Sequence, residues 1–193
     1  MKEDAGLRRQ EDTIYLGPGP GFGSGRHPTT RGCLGLMESF FEGGRPARVL
    51  DAGCGSGILS IAASLLGART VLGVEVEKTA AATARRNVGW NNVQDVVTIF
   101  RGDLQDVLGS YDLILANLDP GAAAIFGVTL GKRLVSGGHL ILSGLAGFET
   151  DHALKRLVQD RGLNLLEHLR KGGWSTLLLN RPKLKNETGS TDA

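Results

Sequence analysis

Three glycines spaced one residue apart, directly after a short apolar run, constrain the fold of this chain more than any other feature. They are Gly53, Gly55 and Gly57; the run 49–52 precedes them and the apolar residues 58–63 follow. This order is typical of a buried β-strand, a tight turn and the start of a helix. Glycine permits a positive φ and close approach of a ligand, and a helix N-terminus offers free N–H groups. The stretch therefore predicts a site for an adenosine-containing ligand.

Spacing and charge select among such ligands. Dinucleotide-binding proteins use G-x-G-x-x-G, whereas this chain has G-x-G-x-G, with Asp51 two residues before Gly53. An acid there would repel a pyrophosphate, but it suits a ligand that carries an ammonium group and a sulfonium. The pattern favours S-adenosylmethionine over NAD and makes Asp51 and the three glycines candidate cofactor contacts. Taken alone, it also fits a plain strand-to-helix turn.

Composition narrows the class of protein. The 193 residues, 41% of them hydrophobic, suit one domain with its own core. A net charge of +2 does not predict strong nonspecific binding to nucleic acid. The two cysteines and four histidines form no metal-type cluster in the sequence. No signal peptide or membrane-spanning run is visible. We therefore expect a metal-free cytoplasmic protein that does not bind membranes.

Short β-rich runs alternate with helical patterns after the glycine turn. This alternation predicts an α/β fold with a parallel sheet covered by helices on both faces. The alanine-rich stretch 78–90 is a predicted helix. Strands are predicted at residues 48–51, 70–76, 96–101, 111–117 and 138–143.

The C-terminal part of the chain does not continue the alternation of strands and helices. Two β runs, 163–169 and 174–180, flank a Gly-Gly break and predict an antiparallel hairpin at the sheet edge. We divide the chain into a flexible segment 1–14, one domain over 15–182 and a disordered tail 183–193.

Polar side chains follow three of the predicted strands, at the edge where open α/β sheets bind ligands. Glu75 lies where an acid accepts both ribose hydroxyls of a nucleoside, although it also fits a surface acid. Asp103 is equally suited to reading the exocyclic amine of adenine and to capping a helix over 104–108. Asn117 can accept hydrogen bonds from an incoming amine and turn its lone pair toward an electrophilic methyl group. The alternative for Asn117 is a turn before Pro120.

A glycine-rich segment, residues 17–25, lies upstream and leads into the helix pattern that begins near Pro28. A flexible linker would need neither Phe22 nor His27 nor the two threonines that follow. We therefore predict a shaped loop in which residues 22–27 cover the cofactor, and His27 has a structural role in preference to accepting a proton.

The run 117–120 is similar in part to the N-P-P-aromatic loop of amine methyltransferases that act on nucleobases or glutamine. Leu118 and Asp119 stand where that loop begins its prolines, and Gly121 replaces the aromatic residue that would stack on a flat base. The missing aromatic argues against a nucleobase acceptor and favours a protein amine.

Together these residues resemble the PrmA family of S-adenosylmethionine-dependent ribosomal protein methyltransferases. The likeness covers residues 15–182, and its most specific part is the loop 20–30, similar to the family's P-G-x-A-F-G-T-G-x-H-x-T-T. Residues 49–57, 73–77, 85–87 and 116–118 match in order. The resemblance implies a class I methyltransferase fold, which is Rossmann-like with a seven-stranded sheet, and methylation of a protein amino group. It also implies cofactor contacts at Thr30, Gly53, Glu75 and Asn117. Together with those argued above, the predicted cofactor contacts are Phe22, Gly23, His27, Thr30, Asp51, Gly53, Gly55, Gly57, Glu75, Asp103 and Asn117.

Departures from the family pattern bear on the acceptor. Only about sixteen residues precede the glycine loop, so we expect the family's N-terminal recognition domain to be absent. Ser24 replaces a threonine, Glu75 replaces an aspartate, and Asp119-Pro120 replaces a more apolar continuation. We expect a protein lysine N-methyltransferase with Asn117 as its catalytic residue, acting on a ribosomal protein or on another protein. The alternatives are a small-molecule or RNA methyltransferase and a noncatalytic paralogue that binds S-adenosylmethionine.

Overall fold

The computed structural model describes residues 13–19, 23–42, 44, 47–159 and 162–183. Phe22 and nearly all of the two predicted terminal segments lie outside these residues. The helices are α1 (Pro28–Phe41), α2 (Ile58–Leu65), α3 (Lys78–Trp90), α4 (Pro120–Gly131) and α5 (Phe148–Leu154), with single turns at Leu104–Asp106 and Lys155–Gln159. The strands are β1 (Arg48–Ala52), β2 (Thr70–Glu75), β3 (Val97–Arg101), β4 (Tyr111–Asn117), β5 (Leu134–Ala146), β6 (Asn164–Lys171) and β7 (Trp174–Asn180).

The strands form one seven-stranded sheet in the order β3-β2-β1-β4-β5-β7-β6. Strands β1 to β5 are parallel, and β7 runs antiparallel to both β5 and β6. The predicted α/β sheet and its C-terminal antiparallel hairpin are confirmed. The strand bounds agree with prediction to within two residues, except for β5.

Strand β5 begins four residues earlier than the predicted residue 138. The run Ser136-Gly137-Gly138 resembles a break, and Gly137 does take a φ of +76°. The chain nevertheless stays paired, because the Gly137 N–H donates to the Arg181 carbonyl at 3.0 Å and the Arg181 N–H donates to the Gly138 carbonyl at 2.8 Å. The early start was missed because its pairing partner is distant in sequence.

The core lies on both faces of the sheet, because successive strand residues point to opposite sides. On β1, Val49 packs with α1, α2 and α3, while Leu50 packs with α4 and α5. On β4, Leu113 and Ile114 divide in the same way, and both are fully buried. The continuous apolar runs of these central strands follow from this two-sided burial.

The sheet order fixes where a ligand can bind. From β1 the chain winds outward through β2 and β3, then returns to the other side of β1 with β4 and β5. At such a reversal the loops leave in opposite directions and open a crevice at the carboxyl ends of the strands. The glycine turn follows β1, and Asn117 ends β4, so both border this crevice.

Among the described residues, none of the helices combines the length and the apolar character needed to cross a bilayer.

Candidate functional site

A cavity of about 810 Å³ opens at the carboxyl ends of β1 to β4. Its volume falls within the roughly 300–1,000 Å³ usual for small-molecule sites. The structure brings six of the predicted residues to its wall: His27, Gly53, Gly55, Glu75, Asp103 and Asn117.

The glycine turn takes the backbone conformation that its sequence predicts. Gly53, Gly55 and Gly57 have φ values of +71°, +55° and +82°, a region that residues with a Cβ seldom adopt. A Cβ on Gly53 would lie 2.6 Å from Leu118 Cδ2 across the cavity wall, whereas one on Gly57 would lie 3.3 Å from the Ala84 Cβ of α3. Gly53 thus faces the cavity, and Gly57 lets α2 pack against α3 outside it.

Glu75 ends β2 and holds the glycine turn through its carboxylate. Its Oε2 accepts the Gly55 N–H at 3.0 Å, and its Oε1 accepts the Glu77 N–H at 3.0 Å. A carboxylate has about four acceptor positions, so roughly two remain after these bonds. Glu75 is thereby fixed at the wall with capacity to accept two further hydroxyl groups.

Asp103 caps a short turn and also lies at the cavity. Its Oδ1 accepts the Gln105 N–H at 2.8 Å and so caps the short turn Leu104–Asp106, which is shorter than the predicted helix 104–108. The same residue lines the cavity. The cap fixes the carboxylate orientation and occupies one oxygen, which leaves the other for a ligand.

Asn117 ends β4 and is oriented by Thr30 of α1. Its Nδ2 lies 3.4 Å from the Thr30 Oγ1 and donates to it. This contact uses the amide nitrogen, so the amide oxygen is the atom that can accept from an incoming group. Thr30 itself is fully buried and is not part of the cavity wall. The structure therefore places Thr30 behind Asn117, where it supports the amide.

Asp51 also lies outside the cavity wall. Its carboxylate is buried and accepts a hydrogen bond of 2.6 Å from the Ser60 hydroxyl of α2. Burial raises the pKa of Asp51 to about 6, against the lowering effect of the Ser60 hydrogen bonds. The predicted contact between Asp51 and an ammonium group is not supported by this placement, because the carboxylate is directed into the protein.

The raised pKa of Asp51 gives a testable dependence of stability on pH. Because the folded-state pKa exceeds the ordinary value of 3.8, the stabilising contribution is complete below about pH 4 and is lost as pH rises through about 6. We expect the free energy of unfolding to fall over this range by up to about 3 kcal/mol. Urea titrations of the wild type and of Asp51→Asn at several pH values measure it. Parallel stability curves for the two proteins would contradict the assignment.

His27 caps the N-terminus of α1 and borders the cavity beside Trp174. Its Nδ1 lies 2.8 Å from the Thr29 Oγ1, and its ring meets the Trp174 indole edge-on with centroids 5.2 Å apart. The predicted structural role of His27 agrees with these contacts. Gly23, the other described residue of this loop that was predicted to contact the cofactor, is not part of the wall; its carbonyl accepts a hydrogen bond from the Ser56 hydroxyl at 2.7 Å.

Sequence reasoning missed the apolar residues of the wall. Trp174 begins β7, which lies between β5 and the edge strand β6 and pairs antiparallel with the end of β5. A tryptophan directly after the predicted Gly-Gly turn was the available signal. Val76 directly follows Glu75 and is 69% exposed, which is unusual for valine after a buried strand. The other apolar residues missed on the wall are Val74, Ala80, Leu104, Leu118, Pro120, Ala122 and Phe126.

Within the described part of the chain, no three His, Cys, Asp or Glu side chains approach closely enough to bind a metal ion together.

The sheet order and the position of the cavity define the fold of class I S-adenosylmethionine-dependent methyltransferases. The model of the family "Ribosomal protein L11 methyltransferase (PrmA)" matches residues 2–182, and the chain belongs to this family. The resemblance seen in the sequence is thereby confirmed.

Two curated relatives illustrate the similarity. The ribosomal protein L11 methyltransferase of Clostridium botulinum (strain Eklund 17B / Type B) is 36% identical over 179 residues, which are 92% of this chain and 56% of the relative. That of Geobacter sulfurreducens is 39% identical over 168 residues, 87% of this chain and 54% of the relative. The chain thus spans about half the length of the curated relatives that it matches.

Solved structures agree in fold. The ribosomal protein L11 methylase of Lactobacillus delbrueckii subsp. bulgaricus superposes with a TM-score of 0.78 at 29% identity, covering 88% of this chain and 85% of that one. An RNA methyltransferase of Salinibacter ruber, solved with S-adenosyl-L-homocysteine, has a TM-score of 0.63 at 17% identity and covers 86% of this chain and 100% of that one. The second likeness concerns the fold alone.

Proposed function

We propose that this chain is an S-adenosylmethionine-dependent methyltransferase that modifies an amino group of a protein, with lysine as the acceptor side chain. The observation that carries the proposal is the position of Asn117. Its amide, held by Thr30, borders the same cavity as the glycine turn and the Glu75 carboxylate. One cavity therefore contains both an amide that can orient an amine and a glycine turn with a carboxylate that can bind a nucleoside.

The wall formed by β1, β2 and β3 fits S-adenosylmethionine. Gly53 and Gly55 bring bare backbone to the cavity, and Glu75 has acceptor capacity for the two ribose hydroxyls. Val76 and Leu104 offer apolar faces to an adenine ring, and Asp103 can accept from its exocyclic amine. These residues would hold the cofactor.

Asn117 ends β4, which lies on the other side of β1 from β2 and β3. Leu118, Phe126 and Trp174 line the same cavity with apolar and aromatic side chains. Apolar surroundings disfavour the charged ammonium, so they lower the pKa of an entering lysine and raise its unprotonated fraction. The Asn117 amide oxygen then accepts an N–H of that amine and directs its lone pair into the cavity.

The glycine turn and Glu75 would hold S-adenosylmethionine, which would supply an activated methyl group. The amine would form the new C–N bond as the C–S bond broke, with the electron pair passing to sulfur and a proton from nitrogen to water. No strong acid or base is needed for this chemistry, because the sulfonium is already activated. The work of the protein is to position the amine and exclude water. The set of residues on the wall fits that requirement.

The cofactor assignment predicts that Glu75 controls affinity for the nucleoside. Glu75→Gln removes the charge and replaces one acceptor oxygen with a donor, which then opposes the N–H group of either Gly55 or Glu77. We expect the Kd for S-adenosylhomocysteine to rise about 10-fold or more, measured by isothermal titration calorimetry. Glu42→Gln, on the exposed end of α1, is the matched control and should bind as the wild type does. A folded wild type that binds no S-adenosylhomocysteine would overturn the assignment.

The acceptor class is tested by transfer of a labelled methyl group into bacterial cell extract. We expect label in material that protease destroys and RNase leaves intact. Label destroyed by RNase, or found in small molecules, would replace the protein acceptor with one of the alternatives. A protein that binds S-adenosylhomocysteine and transfers no label would be the noncatalytic paralogue.

Ribosomal protein L11 is the first acceptor to test, because it is named in the curated relatives. The chain spans about half of those relatives, so recognition of that acceptor is a separate question from the chemistry. We also propose that the reaction takes place in the cytoplasm, which agrees with the two cysteines, 33 and 54, being free thiols.

A further inference from the structure

A segment before the predicted cofactor loop, residues 15–19, lies along α3, and we call it the strap. The Tyr15 N–H donates to Asn91 Oδ1 at 2.9 Å, and Asn91 Nδ2 donates back to the Tyr15 carbonyl at 2.8 Å. The Gly17 N–H donates to Asn87 Oδ1 at 3.0 Å. A Cβ on Gly19 would lie 2.7 Å from Thr83 Oγ1. The strap therefore contacts α3 at alternate residues, and between them the Pro18 carbonyl also accepts from Arg86 Nη2 at 2.8 Å.

The distance between alternate residues of the strap matches the distance between residues four apart on α3. Two residues of extended chain rise about 6.6 Å, and four residues of an α-helix rise about 6 Å. Alternate strap residues can therefore meet helix residues spaced by four, with the two segments antiparallel. The sequence supplies side chains for this pairing at 83, 87 and 91, and glycines at 17 and 19, where the backbone lies against the helix.

Asn87 is the member of this series that also reaches the glycine turn. It is fully buried, and its Nδ2 donates to the Ser56 carbonyl at 2.8 Å while its Oδ1 accepts from Gly17. Ser56 in turn donates its hydroxyl to the Gly23 carbonyl at 2.7 Å. One amide thus connects the strap with the turn between Gly55 and Gly57, and Ser56 connects that turn with the chain beyond the strap.

We propose that Asn87 is a positioning residue that couples docking of the strap to the affinity of the glycine turn for its ligand. The inference rests on the proposed function, because it takes the turn to be the cofactor site. Neither Asn87 nor any strap residue is part of the cavity wall among the described residues. The coupling therefore acts through the Ser56 backbone, and by linkage the ligand must favour docking of the strap to the same extent.

A double-mutant cycle tests the coupling. Asn87→Ala removes both hydrogen bonds. Gly17→Pro removes the N–H that Gly17 donates to Asn87 and also displaces the Trp90 side chain, because a Cβ on residue 17 would overlap that indole. We expect each single variant to raise the Kd for S-adenosylhomocysteine about 5- to 10-fold. The double variant should bind no more weakly than Asn87→Ala, because without the Asn87 amide the strap has lost its hydrogen-bonded link to the Ser56 carbonyl. Ala82→Gln, exposed on the same helix, is the control and should leave the Kd unchanged.

The outcomes separate the inference from the proposed function. If the wild type binds no S-adenosylhomocysteine, the proposed function fails and the inference fails with it. If the wild type binds and Gly17→Pro binds equally well, or the two effects simply add, the coupling alone is overturned. A variant that only destabilised the fold would lower the thermal midpoint without this non-additive change in Kd.

Hydrogen exchange of the wild type provides a readout that needs no variant. Saturating S-adenosylhomocysteine should slow exchange of the Gly17 amide by about the same 5- to 10-fold, because linkage makes the ligand favour docking of the strap to that extent. An unchanged rate at Gly17, while the Leu178 amide in β7 is slowed by binding, would overturn the coupling even if Asn87→Ala failed to fold.

Discussion

Replacing Asn117 with alanine is expected to lower the rate of methyl transfer roughly 100-fold while leaving binding of S-adenosylhomocysteine within about threefold of the wild type. Asn117 is held at the end of β4 by its bond to Thr30, so its amide oxygen has a fixed position in the cavity. Alanine removes the atom that orients the amine, and a misdirected lone pair attacks poorly. The measurement is the initial rate at which label enters the protease-sensitive fraction of the extract.

Two further variants separate positioning from contact. Thr30→Val keeps the volume of a fully buried side chain but removes the hydroxyl that accepts from Asn117. We expect a smaller loss of rate, about 10-fold, since the amide is present but less well oriented. Asn117→Asp keeps an acceptor oxygen in place and loses the donor to Thr30, so it should resemble Thr30→Val more than Asn117→Ala. Transfer by Asn117→Ala at the wild-type rate would rule out the proposed role.

The sheet was predictable from the sequence because its signals are local. Central strands such as β1 and β4 are buried on both faces, so they appear as continuous apolar runs, and glycine turns or polar residues end them. Tyr111–Asn117 and Trp174–Asn180 coincide with their predictions. The error at β5 arose where pairing with Arg181, a contact distant in sequence, kept a glycine-containing segment in the sheet.

The candidate site was predictable mainly where a residue follows a parallel strand; His27, predicted from the loop before α1, is the exception. Gly53, Glu75, Asp103 and Asn117 each lie at or just beyond a strand end, and parallel strands bring those ends together. Thr30 was predicted from the resemblance, which could not say whether it lies at the cavity or behind Asn117.

The positions of the Asp51 and Trp174 side chains depend on packing that the local sequence pattern does not contain. The direction of the Asp51 side chain depends on the packing of α2 against β1, where Ser60 meets it. Trp174 reaches the cavity through the pairing of β7 with β5, and that antiparallel register is set by contacts between distant parts of the chain.

Replacing Gly53 with valine is expected to raise the Kd for S-adenosylhomocysteine about 100-fold or more, beyond what backbone strain explains. Gly53 has a φ of +71°, and an added Cβ would already lie 2.6 Å from Leu118 Cδ2 at the cavity wall. A β-branched side chain at this φ costs on the order of 1–3 kcal/mol in the free energy of unfolding. The side chain would also fill space next to the turn, where a bound ligand must approach the backbone. Calorimetric titration and thermal unfolding measure the two effects separately.

The chain offers a matched control for this variant in Gly67, which ends the α2 region with a φ of +105° and has open space where a Cβ would lie. Gly67→Val introduces comparable backbone strain far from the cavity, so it should lower the thermal midpoint and leave the Kd of the folded protein unchanged. If Gly53→Val lost stability like Gly67→Val and still bound S-adenosylhomocysteine normally, the turn would not be the ligand cradle. Loss of binding in Gly53→Val alone would instead assign the effect to the position of Gly53, because the two variants share their chemistry and the sign of φ.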